Sequence, residues 1–125
     1  MRLNPECIRN ILLAVEDSTT FIRSFEYRID ETPESLKDYS HEEILYHIKQ
    51  SNLNGMFTNV SYYDAGDYVS ISDLTPKAHE FLANVRSDDI WCKTKSMANK
   101  IGSVSFDALI QISAQVVTNL INNNI

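Results

Sequence analysis

The first apolar positions of the chain recur at the spacing of an α-helix. These positions are Ile8, Ile11, Leu12 and Val15. Asn4 is a good N-cap and Pro5 suits the first helical position, so the helix is predicted to begin there. The periodic pattern fades over residues 17–20, where this helix is expected to end.

An alternating pattern follows over residues 21–29. The side chains expected on one side are those of Phe21, Arg23, Phe25, Tyr27 and Ile29. Such alternation predicts a half-buried β-strand. Continuation of the first helix from Thr19 over the first few of these residues is the open alternative. Thr32 and Pro33 then offer a cap and a helix start, which predicts a short helix that ends before residue 39.

The strongest pattern lies in residues 39–82. Ser40 and Glu43 match a capping box, and Gly55 supplies a left-handed stop to the helix that follows. The apolar stripe predicted to be buried on this helix consists of Ile44, Leu45 and Ile48. Two β-rich segments, 56–63 and 68–73, flank a turn at residues 64–67 that contains a glycine. A helix, a stop and a hairpin are the back half of a winged helix, a module usually found in nucleic-acid binders.

Three further helices are predicted after the hairpin. The first opens at Pro76 after Thr75, and the second follows Ser87 and ends at Gly102. Ser103 or Ser105 is expected to cap a last helix over residues 106–122. The fold class is therefore α+β, and residues 1–125 are expected to form one domain. Within it, residues 1–74 form a winged-helix-like core and residues 75–125 a C-terminal helical extension.

The last helix is apolar over much of its circumference, with Asp107 as its only charge. Such a helix is either packed on several sides or buried against a partner. Homodimerisation or partner binding through this helix therefore stands beside core packing as an open alternative. The residues expected at the contact are Leu109, Ile110, Val116, Val117 and Leu120.

A cluster of hairpin tyrosines gives a second candidate contact surface. Tyr62, Tyr63 and Tyr68 lie close together in the sequence of the predicted wing. Exposed tyrosines are common in protein interfaces, although some of these three are expected to pack on the core.

DNA binding is the alternative function, with residues 40–54 as the recognition helix. Its candidate contact residues are His41, Tyr46, Lys49, Gln50 and Asn52. Glu42 and Glu43 would face phosphates, and the formal charge of −6 with a pI near 4.9 repels nucleic acid at long range. These charges favour a protein partner over DNA.

Catalytic patterns are weak in this chain. His41 and His47 are too far apart around their helix to share a proton or a ligand, and both are expected at the surface or the core edge. The acidic pairs at 64/67 and 88/89 are explained by a turn and a helix start. No phosphate loop, nucleophile elbow or zinc spacing is present. The chain is therefore expected to be no enzyme, with no catalytic residue, metal or cofactor; a small hydrolase or nuclease is the last alternative.

The remaining composition indicates a cytoplasmic protein. Cys7 and Cys92 have no ligand-spaced partner, so both are expected to be reduced, semi-buried thiols. Trp91 is expected to anchor packing. The start of the chain lacks the apolar run of a signal peptide, and no stretch reaches the length of a membrane span.

Three segments together resemble a family of small phage- and prophage-encoded proteins that is classed as a domain of unknown function. They are residues 4–9 (NPECIR), 39–44 (YSHEEI) with 46–48 (YHI), and 71–82 (ISDLTPKAHEFL). The similarity covers nearly the whole chain, but Ala78 stands where the family usually has glycine. The resemblance implies a winged-helix-like core and a phage origin, and it transfers no catalytic residue.

The sequence therefore predicts a non-enzymatic interaction module. It would bind and modulate a host or phage protein, for example a host defence or transcription component, in the host cytoplasm. A winged-helix transcriptional regulator is the alternative.

Overall fold

The computed structural model describes residues 1–102 and 104–123. Within them the chain is mixed α+β, with five α-helices and a three-stranded antiparallel sheet. The helices are α1 (Pro5–Ser18), α2 (His41–Leu53), α3 (Pro76–Val85), α4 (Asp88–Ile101) and α5 (Phe106–Asn123). The strands are β1 (Phe25–Arg28), β2 (Phe57–Tyr63) and β3 (Tyr68–Leu74). This confirms the predicted α+β class and its C-terminal helices.

The chain divides into two compact units, Met1–Ala78 and His79–Ile125. The first unit holds α1, α2 and the sheet, whose strand order is β1-β3-β2. In the register, Phe25 is opposite Ile71 and Arg28 is opposite Tyr68, while Tyr63 pairs with Tyr68 across the hairpin. Strand β3 therefore lies in the centre and carries both pairings.

The core of the first unit forms where α1 and α2 pack near one face of the sheet. Its buried side chains include Ile8, Ile11, Leu12, Phe25, Tyr27, Ile44, Ile48, Val69 and Ile71. The predicted periodicity of α1 is confirmed, because its four apolar positions are all fully buried. A short 3₁₀ helix at Glu34–Leu36 occupies the place of the predicted short helix, and its Leu36 completes this core.

The predicted strand at residues 21–29 is wrong over its first half. Only Phe25–Arg28 form a strand, while Phe21 and Ile22 are 102% and 93% exposed. The main chains of Thr20 and Arg23 hydrogen-bond to each other in both directions, N to O at 2.9 and 3.3 Å. This tight turn takes both apolar side chains out of the alternation and into solvent.

Most of the predicted caps form among the described residues, but those at Thr32 and Ser87 do not; Pro33 is the N-cap of the 3₁₀ helix, which has no side-chain capping hydrogen bond. Asn4 accepts from the Glu6 N–H, and the Ser40–Glu43 capping box forms in both directions. The Ser105 hydroxyl accepts from Ala108 N–H, so Ser105 caps α5; the alternative cap, Ser103, lies outside the described residues. Ser87 has N-cap backbone geometry, but its side chain makes no capping hydrogen bond in the described structure. Asp88 and Asp89 supply favourable charge to that helix end instead.

The second unit is built on α4 and α5. Trp91 is 2% exposed, which confirms it as a packing residue. The rings of Phe81 and Phe106 lie 6.4 Å apart, and Ala98, Leu109 and Val116 are also buried. None of the described helices is long and apolar enough to cross a membrane.

The two thiols differ from the predicted semi-buried pair. Both are free, but Cys7 is fully buried and Cys92 is exposed. Cys7 falls on the core face of α1, whereas Trp91 takes the buried side next to Cys92. Burial, with a smaller contribution from Glu43, raises the pKa of Cys7 to about 12, so it is a neutral thiol at physiological pH.

His47 is buried, at 1% exposure, rather than lying at the surface or the core edge. Its Nε2 accepts from the Asn4 N–H at 2.8 Å, and Nδ1 lies 2.7 Å from the Glu43 carbonyl oxygen. Nε2 is therefore unprotonated, and Nδ1–H donates to that carbonyl. The neutral imidazole joins the start of α1 to α2, a role that sequence spacing does not reveal.

We expect His47 to make folding stability depend on pH. Burial lowers its pKa below the ordinary 6.5, so the unfolded chain takes up a proton at higher pH than the folded chain. The free energy of unfolding should be unaffected by this group above pH 6.5 and should decrease as the pH falls towards the lowered folded-state pKa. Urea unfolding of wild type and His47→Phe across this range measures the effect. The variant should be less stable at neutral pH and should lack this decrease. The same pH dependence in both proteins would contradict a lowered pKa for His47 in the folded state.

We expect Ser51→Ala to raise the free energy of unfolding by about 1 kcal/mol. Ser51 is 0% exposed, and its Oγ has no hydrogen-bond partner among the described residues. The matched control is Ser113→Ala, because Ser113 is equally buried within a helix but donates to the Ile110 carbonyl at 2.8 Å. Denaturant unfolding of both variants should show a gain for Ser51→Ala and none for Ser113→Ala. Equal changes in both variants would show that the lack of a hydrogen-bond partner at Ser51 Oγ does not affect the free energy of unfolding.

Candidate functional site

An open groove lies between α2 and the β2–β3 turn of the first unit. Its volume is about 470 Å³, and its walls are mainly apolar. It is lined by Glu42, Leu45, Tyr46, Lys49, Tyr62, Ala65 and Gly66. These residues come from one helix and one hairpin, so the relative placement of the two elements determines the shape of the groove.

The helix wall is a stripe of four residues at positions i, i+3, i+4 and i+7 of α2. They are Glu42, Leu45, Tyr46 and Lys49. The stripe lies on a different side of the helix from the buried Ile44, His47 and Ile48. Leu45 was predicted to be part of the buried stripe, but it is half-buried and faces the turn. The core-facing side of α2 is formed by Ile44, His47 and Ile48, and Leu45 lies beside it and lines the groove.

The other wall is the turn, and it depends on Gly66. A Cβ placed on Gly66 would lie 3.0 Å from a Leu45 methyl carbon, and the φ of Gly66 is +94°. The turn predicted to use this glycine is confirmed, and the structure adds that the glycine lets helix and turn approach closely. Ala65 has a left-handed backbone, with φ 56° and ψ 33°. For an alanine this conformation costs about 1–2 kcal/mol.

A polar link also ties the turn to the start of α2. The Tyr27 hydroxyl lies 2.6 Å from His41 Nδ1, and His41 Nε2 lies 3.4 Å from a carboxylate oxygen of Asp67. The rings of Tyr27 and His41 are stacked, with centroids 5.6 Å apart. Tyr27 is buried, and burial is the main cause that raises its pKa. Three elements, β1, α2 and the turn, are therefore joined at one point.

The hairpin tyrosines do not form one cluster. Tyr62 pairs with Val69, whereas Tyr63 pairs with Tyr68, so the two pairs lie on opposite faces of the sheet. Tyr62 is 47% exposed and lines the groove. Because burial raises its pKa, its hydroxyl stays protonated and available as a donor.

Tyr63 and Tyr68 belong to a separate outer surface. Their ring centroids are 5.1 Å apart, and the Arg28 guanidinium lies 4.1 Å from the Tyr68 ring centroid. The Tyr68 hydroxyl donates to Glu26 at 2.7 Å, and this bond is the main cause that raises the pKa of Tyr68. These contacts hold Tyr68 within its own sheet.

The groove region is acidic. Helix α2 and the turn carry four carboxylates (Glu42, Glu43, Asp64 and Asp67) against the single ammonium group of Lys49. Glu42 and Lys49 are separated by seven residues, which is about 10 Å along a helix axis. The end of the groove near Glu42 is therefore negative.

The residues predicted for DNA contact are divided among several environments. Tyr46 and Lys49 line the groove, while His41 is engaged by Tyr27 and Asp67. Gln50 is half-buried, and Asn52 is exposed outside the groove lining. Of the five residues, Tyr46 and Lys49 therefore share the groove, and the other three lie outside its lining.

The predicted contact residues of α5 also differ in their exposure to solvent. Leu109 and Val116 are buried, at 1% and 5% exposure. Ile110, Val117 and Leu120 are half-exposed. A second cavity, of about 360 Å³, lies between α4 and α5, with Met97, Val116 and Leu120 beside Lys93 and Lys100. Part of this helix thus packs within its own unit.

The sequence did not predict that Glu42, Leu45, Ala65 and Gly66 line one site. The available signal was the second stripe on α2, which runs beside the core stripe and contains a leucine and a tyrosine. Within the described ranges, no group of three or more His, Cys, Asp or Glu side chains is placed to hold a metal ion.

We expect Gly66→Ala to lower the free energy of unfolding by about 2 kcal/mol, since it combines left-handed strain with overpacking against Leu45. Gly55→Ala is the matched control, because its φ is +76° but the nearest atom to an added Cβ is 4.0 Å away. The free energy of unfolding of Gly55→Ala should decrease by a smaller amount, because backbone strain is its only cost. Urea unfolding measures both variants. Equal losses would show that the close approach to Leu45 contributes nothing.

Comparison with known proteins identifies a family but no activity. The family described as "Hypothetical protein (DUF2513)", a domain of unknown function, matches residues 2–105, and the chain belongs to it. No curated protein and no solved structure matches the chain. The matched range contains both groove walls and ends just before α5.

Proposed function

We propose that this DUF2513 member is a non-enzymatic protein-interaction module whose docking site is the groove between α2 and the β2–β3 turn. One observation carries the proposal: the groove combines apolar walls with a negative end. A polypeptide segment with an apolar anchor fits this chemistry, whereas a phosphate backbone does not.

A winged-helix core is part of this proposal. Its support is the order of elements in the first unit, where α2 is followed directly by a β-hairpin. The first strand pairs with the second strand of that hairpin, giving the order β1-β3-β2. In winged helices the corresponding helix and wing form the DNA-binding surface, so the groove lies where a nucleic-acid ligand would be sought.

The charges on that surface argue against DNA. The four carboxylates of α2 and the turn would repel phosphates, and Lys49 is their single cationic neighbour on these elements. His41 is held between Tyr27 and Asp67, so it is not presented for base contact. The proposed winged-helix core is typical of DNA-binding proteins, but the negative charge of this surface disfavours DNA binding.

The walls of the groove are suited to protein contact. Leu45 gives an aliphatic surface, while Tyr46 and Tyr62 give large rings with polar ends. Tyrosine is enriched in protein interfaces because it buries area with little loss of side-chain entropy. The neutral hydroxyl of Tyr62 can donate to a partner's carbonyl oxygen at the rim.

The source and setting of the protein belong to the same proposal. Resemblance to phage- and prophage-encoded proteins supports a phage origin and action in the host cytoplasm. The partner would then be a host or phage protein that docking modulates. The half-exposed Ile110, Val117 and Leu120 of α5 offer a second, separate contact surface.

We expect Tyr62→Arg to abolish partner capture while Tyr63→Arg leaves it intact. Both tyrosines are about half exposed and adjacent in β2, but only Tyr62 lines the groove. Immobilised wild type and both variants would be incubated with host lysate, and bound proteins quantified by mass spectrometry. A protein lost with Tyr62→Arg alone supports docking in the groove. Capture that is indifferent to this substitution contradicts it.

The DNA alternative is tested with the same three proteins. Fluorescence anisotropy with a labelled random duplex should show no saturable binding, at low or physiological salt. Tight binding that weakens steeply as salt rises would overturn the protein-interaction function.

A further inference from the structure

The turn between α1 and β1 displays an apolar tip, defined here as Phe21 and Ile22. Their side chains are 102% and 93% exposed, so neither is covered by its own chain. The paired hydrogen bonds between the main chains of Thr20 and Arg23 hold the tip in place. Two adjacent bulky apolar side chains on a tight turn form an exposed apolar projection, which a complementary apolar groove would remove from water.

The tip and the groove lie at opposite ends of the sheet. Strand β1 begins at Phe25, opposite Ile71, and ends at Arg28, opposite Tyr68, beside the turn that walls the groove. The tip precedes Phe25, so it lies beyond the end of β1 that is remote from this turn. The tip therefore cannot fill the groove of its own copy.

The tip and the groove are complementary in chemistry. The groove offers Leu45, Tyr46 and Tyr62 as apolar walls, and its volume of about 470 Å³ is on the scale of pockets that enclose small ligands. Arg23 directly follows the tip, and Glu42 marks the negative end of the groove. The apolar tip thus matches the apolar walls of the groove, and the guanidinium of Arg23 matches the carboxylate of Glu42.

We propose that the tip of one copy docks in the groove of a second copy, with Arg23 of the tip against Glu42 of the groove. This proposal rests on the proposed function, because it names the occupant of the same docking site. The two surfaces differ, so the contact is heterologous: the copy whose tip is docked keeps a free groove, and the copy whose groove is filled keeps a free tip. Such contacts build open head-to-tail chains unless the rotation between copies closes a ring.

A charge exchange between copies tests the proposal. Arg23→Glu alone places two carboxylates at the contact, and Glu42→Arg alone places two guanidinium groups there, so each variant should remain monomeric. A mixture of the two variants restores an opposite pair at every contact and should assemble like wild type. The measurement is sedimentation velocity of the full chain over a wide concentration range, with circular dichroism to check folding.

Two further variants separate the tip from other surfaces. Phe21→Ser with Ile22→Ser should abolish assembly, and this change affects only solvent-exposed side chains. Tyr63→Arg, on the opposite face of the hairpin, should leave assembly unchanged.

Several results would overturn the proposal. These are a monomeric wild type at every concentration, mixed variants that stay monomeric, and assembly that survives loss of the tip. Assembly abolished by Ile110→Asp or Val117→Asp but not by the tip changes would place self-association on α5 instead. Groove-dependent capture of another protein by a monomeric chain would refute the self-docking and leave the proposed function standing.

Discussion

The close approach of Leu45 to Gly66 is the contact on which the candidate site depends. It places the hairpin turn directly against α2, so that one helix stripe and one turn become two walls of a groove. A side chain at residue 66 would push these walls apart, since a Cβ there would meet a Leu45 methyl carbon at 3.0 Å. The link through Tyr27, His41 and Asp67 fixes the same two elements by polar contacts. Packing and hydrogen bonding thus determine one geometry together.

The proposed preference for a protein over DNA depends on surface charge, which can vary independently of the backbone arrangement. Caps, the glycine stop and the strand pairing set the position of α2 beside its hairpin. The side chains on that surface then decide what it attracts. Here Glu42 and Glu43 satisfy the helix start and, by the same charge, disfavour phosphate. A stabilising feature of the helix therefore also restricts its ligands.

Local signals predicted the elements of this chain well because caps and periodic burial act over a few residues. The Asn4 cap, the Ser40–Glu43 box and the Gly55 stop required no tertiary information. The exposed tip was missed because Phe21 fits a strand pattern, and the turn that exposes it depends on main-chain hydrogen bonds. The groove was missed because an apolar Leu45 suits both a core stripe and a surface stripe. The tyrosines were grouped by proximity in sequence, whereas strand register separates them.

Ala65 shows how stability and surface chemistry compete at this turn. Its left-handed backbone is one that glycine adopts freely, so a chain selected for stability alone would have little reason to keep a methyl group here. That methyl-bearing residue, however, forms part of the groove wall. The hairpin therefore keeps an alanine in a strained conformation at a position that lines the groove. Glycine would relieve the backbone strain of this turn, but it would also remove the alanine methyl group from a residue that lines the groove.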